Sequence, residues 1–129
     1  MKLLLFLAIA STAFAAPSDK FFRALHLVES SGRTGVILGD YVNGKPRALG
    51  PLQIHRAAFI DSKIVGRYEQ CADLAFSKRV ASSYLRRYAP SAWKNNDIAT
   101  LAAVWNGGPK GPSKKAAQAY AKKVLKLAK

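Results

Sequence analysis

The chain has 129 residues, with 21 Lys and Arg against 7 Asp and Glu, a net charge of +14. Its length fits one domain, and its single cysteine, Cys71, excludes an intramolecular disulfide, so stability rests on a packed core. The positive excess points to polyanionic partners, and no stretch after the N-terminal apolar run is long and apolar enough to span a membrane.

The first fifteen residues read as a leader. Met1-Lys2 is a short positive start, Leu3–Ala10 is an unbroken apolar run, and Ala13-Phe14-Ala15 precedes Ala16. This is the three-part pattern of a secretory signal peptide, too short for a membrane span. A buried N-terminal helix is the competing reading. Cleavage near Ala15 is expected, leaving a domain of residues 16–129 that is secreted or periplasmic. Without Lys2 the remaining 20 basic and 7 acidic residues leave a charge of +13.

Pro17-Ser18-Asp19 opens the first helix, with Ser18 as N-cap and Asp19 in the first turn. The helix runs to about Ser30 and stops at Gly32. With Phe21 at zero, Leu25 falls near about 40°, Val28 near about −20°, Phe22 near about 100° and Glu29 near about 80°. Glu29, one of two glutamates in the chain, therefore shares the face that is to be buried. Desolvation raises a carboxyl pKa, which is what a general acid requires at neutral pH. A helix-end carboxylate paired with a cation has the same local pattern, and the two readings stay open at this point.

Residues 35–42 are β-prone, Asn43-Gly44 is a strong hairpin signal, and Pro46 restricts the returning strand to an edge. Gly50-Pro51 breaks the chain, and a helix then runs through Ala57, Ala58, Phe59 and Ile60. Residues 62–71 read as short helix and loop. From Asp73 to Arg87 the pattern is helical, with Phe76, Val80 and Tyr84 in one row; Pro90 ends it. Residues 91–96 read as a loop carrying Trp93. Asp97 caps a central helix, Ile98–Trp105, broken by Asn106-Gly107-Gly108-Pro109. The last helix, about Ser113–Leu127, has Ala117, Tyr120, Ala121, Val124 and Ala128 on one side. Lys115, Lys122, Lys126 and Lys129 lie opposite, a face suited to solvation or to an anionic polymer or membrane surface.

His26 and His55 lack the spacing of zinc ligands, and neither a metal nor a cofactor is expected. No G-x-S-x-G elbow supports a serine nucleophile, and no recognition motif supports specific nucleic-acid binding. What remains is a carboxylate at a helix end, a polar hairpin, a Gly-Pro-x-Gln loop and an Asn-Gly-Gly loop. Amides and free loop N–H groups in such a cleft suit the hydroxyl and N-acetyl groups of a sugar polymer, and Trp93, Trp105 and the tyrosines suit sugar faces.

Glu29-Ser30-Ser31-Gly32, then A-L-G-P-L-Q-I at 48–54, L-A-A-V-W-N-G-G-P at 101–109 and A-Y-A-K-K-V-L at 119–125 resemble the ordered motifs of the soluble lytic transglycosylase and goose-type lysozyme superfamily. The resemblance covers about residues 20–127. It implies a mainly α (α+β) fold, a lysozyme-like helical domain with a small β-hairpin. It also implies cleavage of the MurNAc–GlcNAc β-1,4 bond in the glycan strands of peptidoglycan. Glu29 is then the catalytic acid and Ser30 the neighbouring serine that contacts substrate or the acid. Gln53, Asn106 and Trp105 would line the cleft, with Trp105 where many members carry Tyr, and Tyr120 would pack near the glutamate.

Two outcomes follow protonation of the bridging oxygen. In a lytic transglycosylase the same carboxylate then acts as base on the substrate's C6 hydroxyl, giving a 1,6-anhydro product. In a hydrolytic muramidase water attacks, with a second carboxylate. Asp40 is the candidate for that second group, against a reading as a plain strand-end turn residue; Asp61, Asp73 and Asp97 sit in helix-start or helix-surface contexts. The rival from another class is a non-catalytic, cationic cell-wall-binding or antimicrobial protein with the same fold. A monomer is expected.

Overall fold

The computed structural model describes residues 19–129; the expected leader and its cleavage point, and the Ser18 cap, lie outside the described residues. Helix α1, Asp19–Ser30, buries Phe21, Phe22, Ala24 and Leu25, the apolar stripe read from its sequence. Complete burial of a side chain such as Phe21 or Leu25 contributes about 2 kcal/mol. The helix ends where Ser31 turns left-handed at φ 57°, with its N–H donating to the Leu27 carbonyl at 3.0 Å.

A small antiparallel sheet follows. Strands β1, Leu38–Val42, and β2, Lys45–Leu49, form a hairpin through Asn43 at φ 52° and Gly44 at φ 74°, the left-handed pair that matches strand twist. Leu38 lies opposite Leu49 and Val42 opposite Lys45. A third strand, β3, Ile54–His55, pairs with β2, Ala48 opposite His55 and Leu49 opposite Ile54. Sequence patterning gave only a helix start there, because two residues carry no periodicity.

The rest is helical: α2 Arg56–Ser62, a 3-10 turn Tyr68–Ala72, α3 Leu74–Tyr88, α4 Pro90–Lys94, α5 Ile98–Gly107, a 3-10 turn Gly111–Ser113 and α6 Lys115–Leu127. Asp73 accepts the Phe76 N–H at 2.8 Å and so caps α3. Asp97 accepts the Thr100 N–H at 3.2 Å and hydroxyl at 2.7 Å and so caps α5. The segment expected as a loop around Trp93 is instead α4. Pro90 ends α3 but also occupies the first turn of the next helix, where its missing N–H costs nothing. Trp93 packs edge-on against Phe22 at 6.5 Å.

Helix α5 is the centre. Leu101, Ala102, Ala103 and Val104 are consecutive and all buried, so the helix is covered on every side, by α3, α4 and α6. Helix α6 buries Ala117, Ala121 and Val124 and leaves Lys115, Lys122 and Lys126 exposed, as is Lys129 just beyond its end. The fold class is therefore mainly α with a small sheet, as expected, and larger by one short strand. Cys71 is fully buried, and burial pushes its thiol up to about 11, so it stays protonated and unreactive. Among the described residues no helix is long and apolar enough to cross a membrane.

The turn Gly50–Gln53 ties sheet to helices. Pro51 and Leu52 are fully buried. The Gly50 N–H donates to Ile37 O at 2.7 Å. Gly50 has φ 85°, and a Cβ there would lie 1.8 Å from the Cys71 carbonyl oxygen. Backbone strain and a clash with backbone therefore coincide. Gly50→Ala is expected to destabilise the fold by about 3 kcal/mol. Urea denaturation checks this, and a loss within about 0.5 kcal/mol would mean that the turn can shift freely.

Candidate active site

A cleft of about 530 Å³ opens between the sheet and the helices. The end of α1 supplies Glu29, β1 Asp40, β2 Ala48, β3 His55 and the end of α5 Trp105 and Asn106. Gln53 lines it from the turn before β3, while Ala57, Ala58 and Asp61 come from α2 and Tyr84 from α3. Three of the seven acidic residues line this cleft and no lysine or arginine does. A protein of net charge +14 thus encloses an acidic groove.

Glu29 is at the last turn of α1, on the side that the amphipathic stripe turns inward. The Tyr120 hydroxyl, on α6, donates a hydrogen bond to Glu29 Oε1. Burial raises the Glu29 pKa above its ordinary 4.5; the Tyr120 bond opposes this and the Asp40 charge adds to it, the net direction being upward. Desolvation outweighs the hydrogen bond. With Oε1 accepting from Tyr120, the carboxyl proton belongs on Oε2. Burial and the adjacent Glu29 also push the Tyr120 phenol well up, so Tyr120 acts only as a neutral donor.

Gln53 is held rather than free. Its Nε2 donates to Ile37 O at 3.0 Å and Gly50 O at 2.9 Å, and its backbone is left-handed at φ 50°. Its Oε1 lies against Gly39, where a Cβ would approach to 1.9 Å; Gly39 leaves the room that the amide occupies. Asp40 sits inside β1 rather than at a strand end, with φ 51°. Its Oδ2 lies 3.0 Å from His55 Nε2. Trp105 stands edge-on to Tyr84, ring centroids 5.8 Å apart, and Asn106 beside it is exposed.

Of the residues selected from sequence, Glu29, Asp40, Gln53, Trp105 and Asn106 converge on the cleft, and Tyr120 reaches it through Glu29. Ser30 does not. It is buried, 3% exposed, and its hydroxyl lies 2.8 Å from the Pro51 carbonyl. The hydroxyl ties α1 to the Gly50–Gln53 turn. Trp93 is also away from the cleft, turned into the core. His26 Nε2 donates to the Arg33 carbonyl at 2.6 Å and braces the loop after α1. His55, whose place just after Gln53 in the sequence puts it at a cleft edge, does line the cleft, while Asp61 and Tyr84 are cleft residues that sequence reasoning did not select. Tyr84 was read as core, and no local pattern separates a cleft wall from a core face. Among the described residues no three of His, Cys, Asp and Glu gather to hold a metal ion.

No protein-family model matches the chain. In sequence the chain is similar to Lysozyme 1 of Crassostrea virginica, 30% identical over 109 residues, which are 83% of this chain and 58% of that protein. The chain therefore spans less than two thirds of the length of that relative.

The Glu29 environment has a consequence for stability. The folded pKa lies above the unfolded value of 4.5, so the folded chain binds more protons in the window between them. Stability then falls as pH rises through that window. Glu29→Gln keeps the acceptor for Tyr120 and removes the buried charge. The variant is expected to melt higher than the parent at neutral pH and level with it below 4.5. A neutral-pH melting point below the parent's would contradict the burial cost.

Proposed function

We propose that this chain is a muramidase that cleaves the β-1,4 bond between N-acetylmuramic acid and N-acetylglucosamine in peptidoglycan. The observation that carries the reading is Glu29, a carboxyl group biased toward its protonated form at the wall of an open cleft that also contains Asp40. The similarity to an oyster lysozyme supports the same class, and the reading places the chain in a lysozyme-like family. Glu29 would donate its Oε2 proton to the glycosidic oxygen, and the sugar would pass through an oxocarbenium-like state. Asp40 would activate the attacking water or stabilise the cationic sugar. Asn106 suits the hydroxyl and acetamido groups of the substrate, Gln53, with both amide N–H groups given to backbone, keeps only Oε1 as an acceptor, and Trp105 suits an apolar sugar face.

A second outcome uses the same first step. Glu29, once deprotonated, takes the proton of the substrate's C6 hydroxyl, and that oxygen closes on C1 to give a 1,6-anhydro end. The motif order favours this lytic transglycosylase outcome, and it requires no second carboxylate. Asp40 inside the cleft favours hydrolysis.

Such a substrate lies outside the membrane, which agrees with export of residues 16–129 after removal of residues 1–15. The exposed lysines of α6 would hold the enzyme to anionic wall polymers, leaving the acidic cleft for the uncharged parts of the glycan.

Purified peptidoglycan digested with the protein and analysed by mass spectrometry tests the reading. Reducing muramyl ends are expected, anhydro ends would assign the lyase outcome, and Glu29→Gln should lower cleavage at least about 100-fold. Wall lysis unaltered by Glu29→Gln would instead identify a cationic wall-binding protein that damages cells without catalysis.

A further inference from the structure

Asp40 and His55 belong to strands that are not neighbours. In the sheet order, β2 lies between them. Gly39 is opposite Ala48, and Ala48 is opposite His55. The imidazole therefore reaches past β2 at a place where the β2 side chain is a single methyl group, and its Nε2 meets Asp40 Oδ2 at 3.0 Å.

Helix capping does not explain His55 at this position. His55 is the N-cap residue of α2, with the extended backbone of that position (φ −75°, ψ 148°), yet its side chain makes no capping hydrogen bond. Ser, Thr, Asn or Asp would serve the helix better. Asp40 occupies the left-handed region at φ 51°, which Asp tolerates better than most side chains other than glycine. The side chains of His55 and Asp40 are 49% and 54% exposed, and an ion pair this wet adds little to stability. Both, however, line the cleft with Glu29.

We infer that His55 is a positioning residue for Asp40. Its Nε2–H holds Oδ2 and fixes the carboxylate, leaving Oδ1 for the water that attacks the sugar. The inference rests on the muramidase reading, in which Asp40 is the second carboxylate. It assigns to His55 a role that neither helix capping nor fold stability requires.

Four variants test it, His55→Ser, His55→Gln, Asp40→Asn and the double variant Asp40→Asn/His55→Ser, each measured for kcat, KM and melting temperature on purified glycan strands. His55→Ser is expected to lower kcat on the order of ten- to a hundredfold with KM unchanged. Its melting temperature should be equal to or above the parent's, because Ser caps α2. His55→Gln, whose amide can donate to Oδ2 from a similar reach, should recover most of kcat. The double variant should be no slower than Asp40→Asn alone, since the two residues act as a unit. Full kcat in His55→Ser, or losses that multiply in the double variant, would overturn the positioning role while leaving the muramidase reading intact. Parent-like kcat in Asp40→Asn would instead remove Asp40 from the mechanism, and the role of His55 with it.

Discussion

The hydrogen bond from Tyr120 to Glu29 joins the first helix to the last across 91 residues of sequence. Without burial of Glu29 the bond would simply hold an ordinary carboxylate. With it, two opposed effects act on one group. Desolvation raises the affinity of Glu29 for its proton, and a hydrogen bond to Oε1 lowers it again, with burial the larger. The bond also orients, because an occupied Oε1 leaves Oε2 for the cleft. The core of Phe21, Leu25, Val124 and Leu101 brings α1 and α6 together, so Glu29 is set by the same packing that stabilises the chain.

The distribution of charge follows a similar division. The lysines of α6 face outward, where water screens their mutual repulsion and a polyanion can meet them. Glu29, Asp40 and Asp61 face the groove. The Asp40 charge in turn adds to the raised proton affinity of Glu29. Two carboxyl groups thus share one cleft, Glu29 partly buried and Asp40 half exposed.

Much of the fold was legible because it depends on local chemistry. The α1 stripe, the Asn43-Gly44 hairpin, the Asp73 and Asp97 caps and the all-apolar α5 each follow from residues within a few positions of one another. The fold class was legible for the same reason. The helix α4 was missed because Pro90 stops one helix and starts the next, and a terminator signal does not distinguish the two. In the site, the inward phase of Glu29 was readable from helical periodicity alone. The burial of Ser30 was not, since its partner is the Pro51 carbonyl, 21 residues away. The His55–Asp40 pair depends on β3, a two-residue strand with no sequence signature, and on a methyl side chain at Ala48 between them. Asp61 lines the cleft from α2, and helical periodicity alone does not say which element a helix face meets.

The central claim is that burial, rather than hydrogen bonding, governs the proton of Glu29. Titration of the Glu29 side-chain carboxyl by 13C NMR, in the parent protein and in Tyr120→Phe, measures this directly. The midpoint should lie above 4.5 in the parent and rise further when the phenol is removed, because the one opposing interaction is lost. A parent midpoint at or below 4.5 would contradict the claim and return Glu29 to the status of an ordinary helix-end carboxylate.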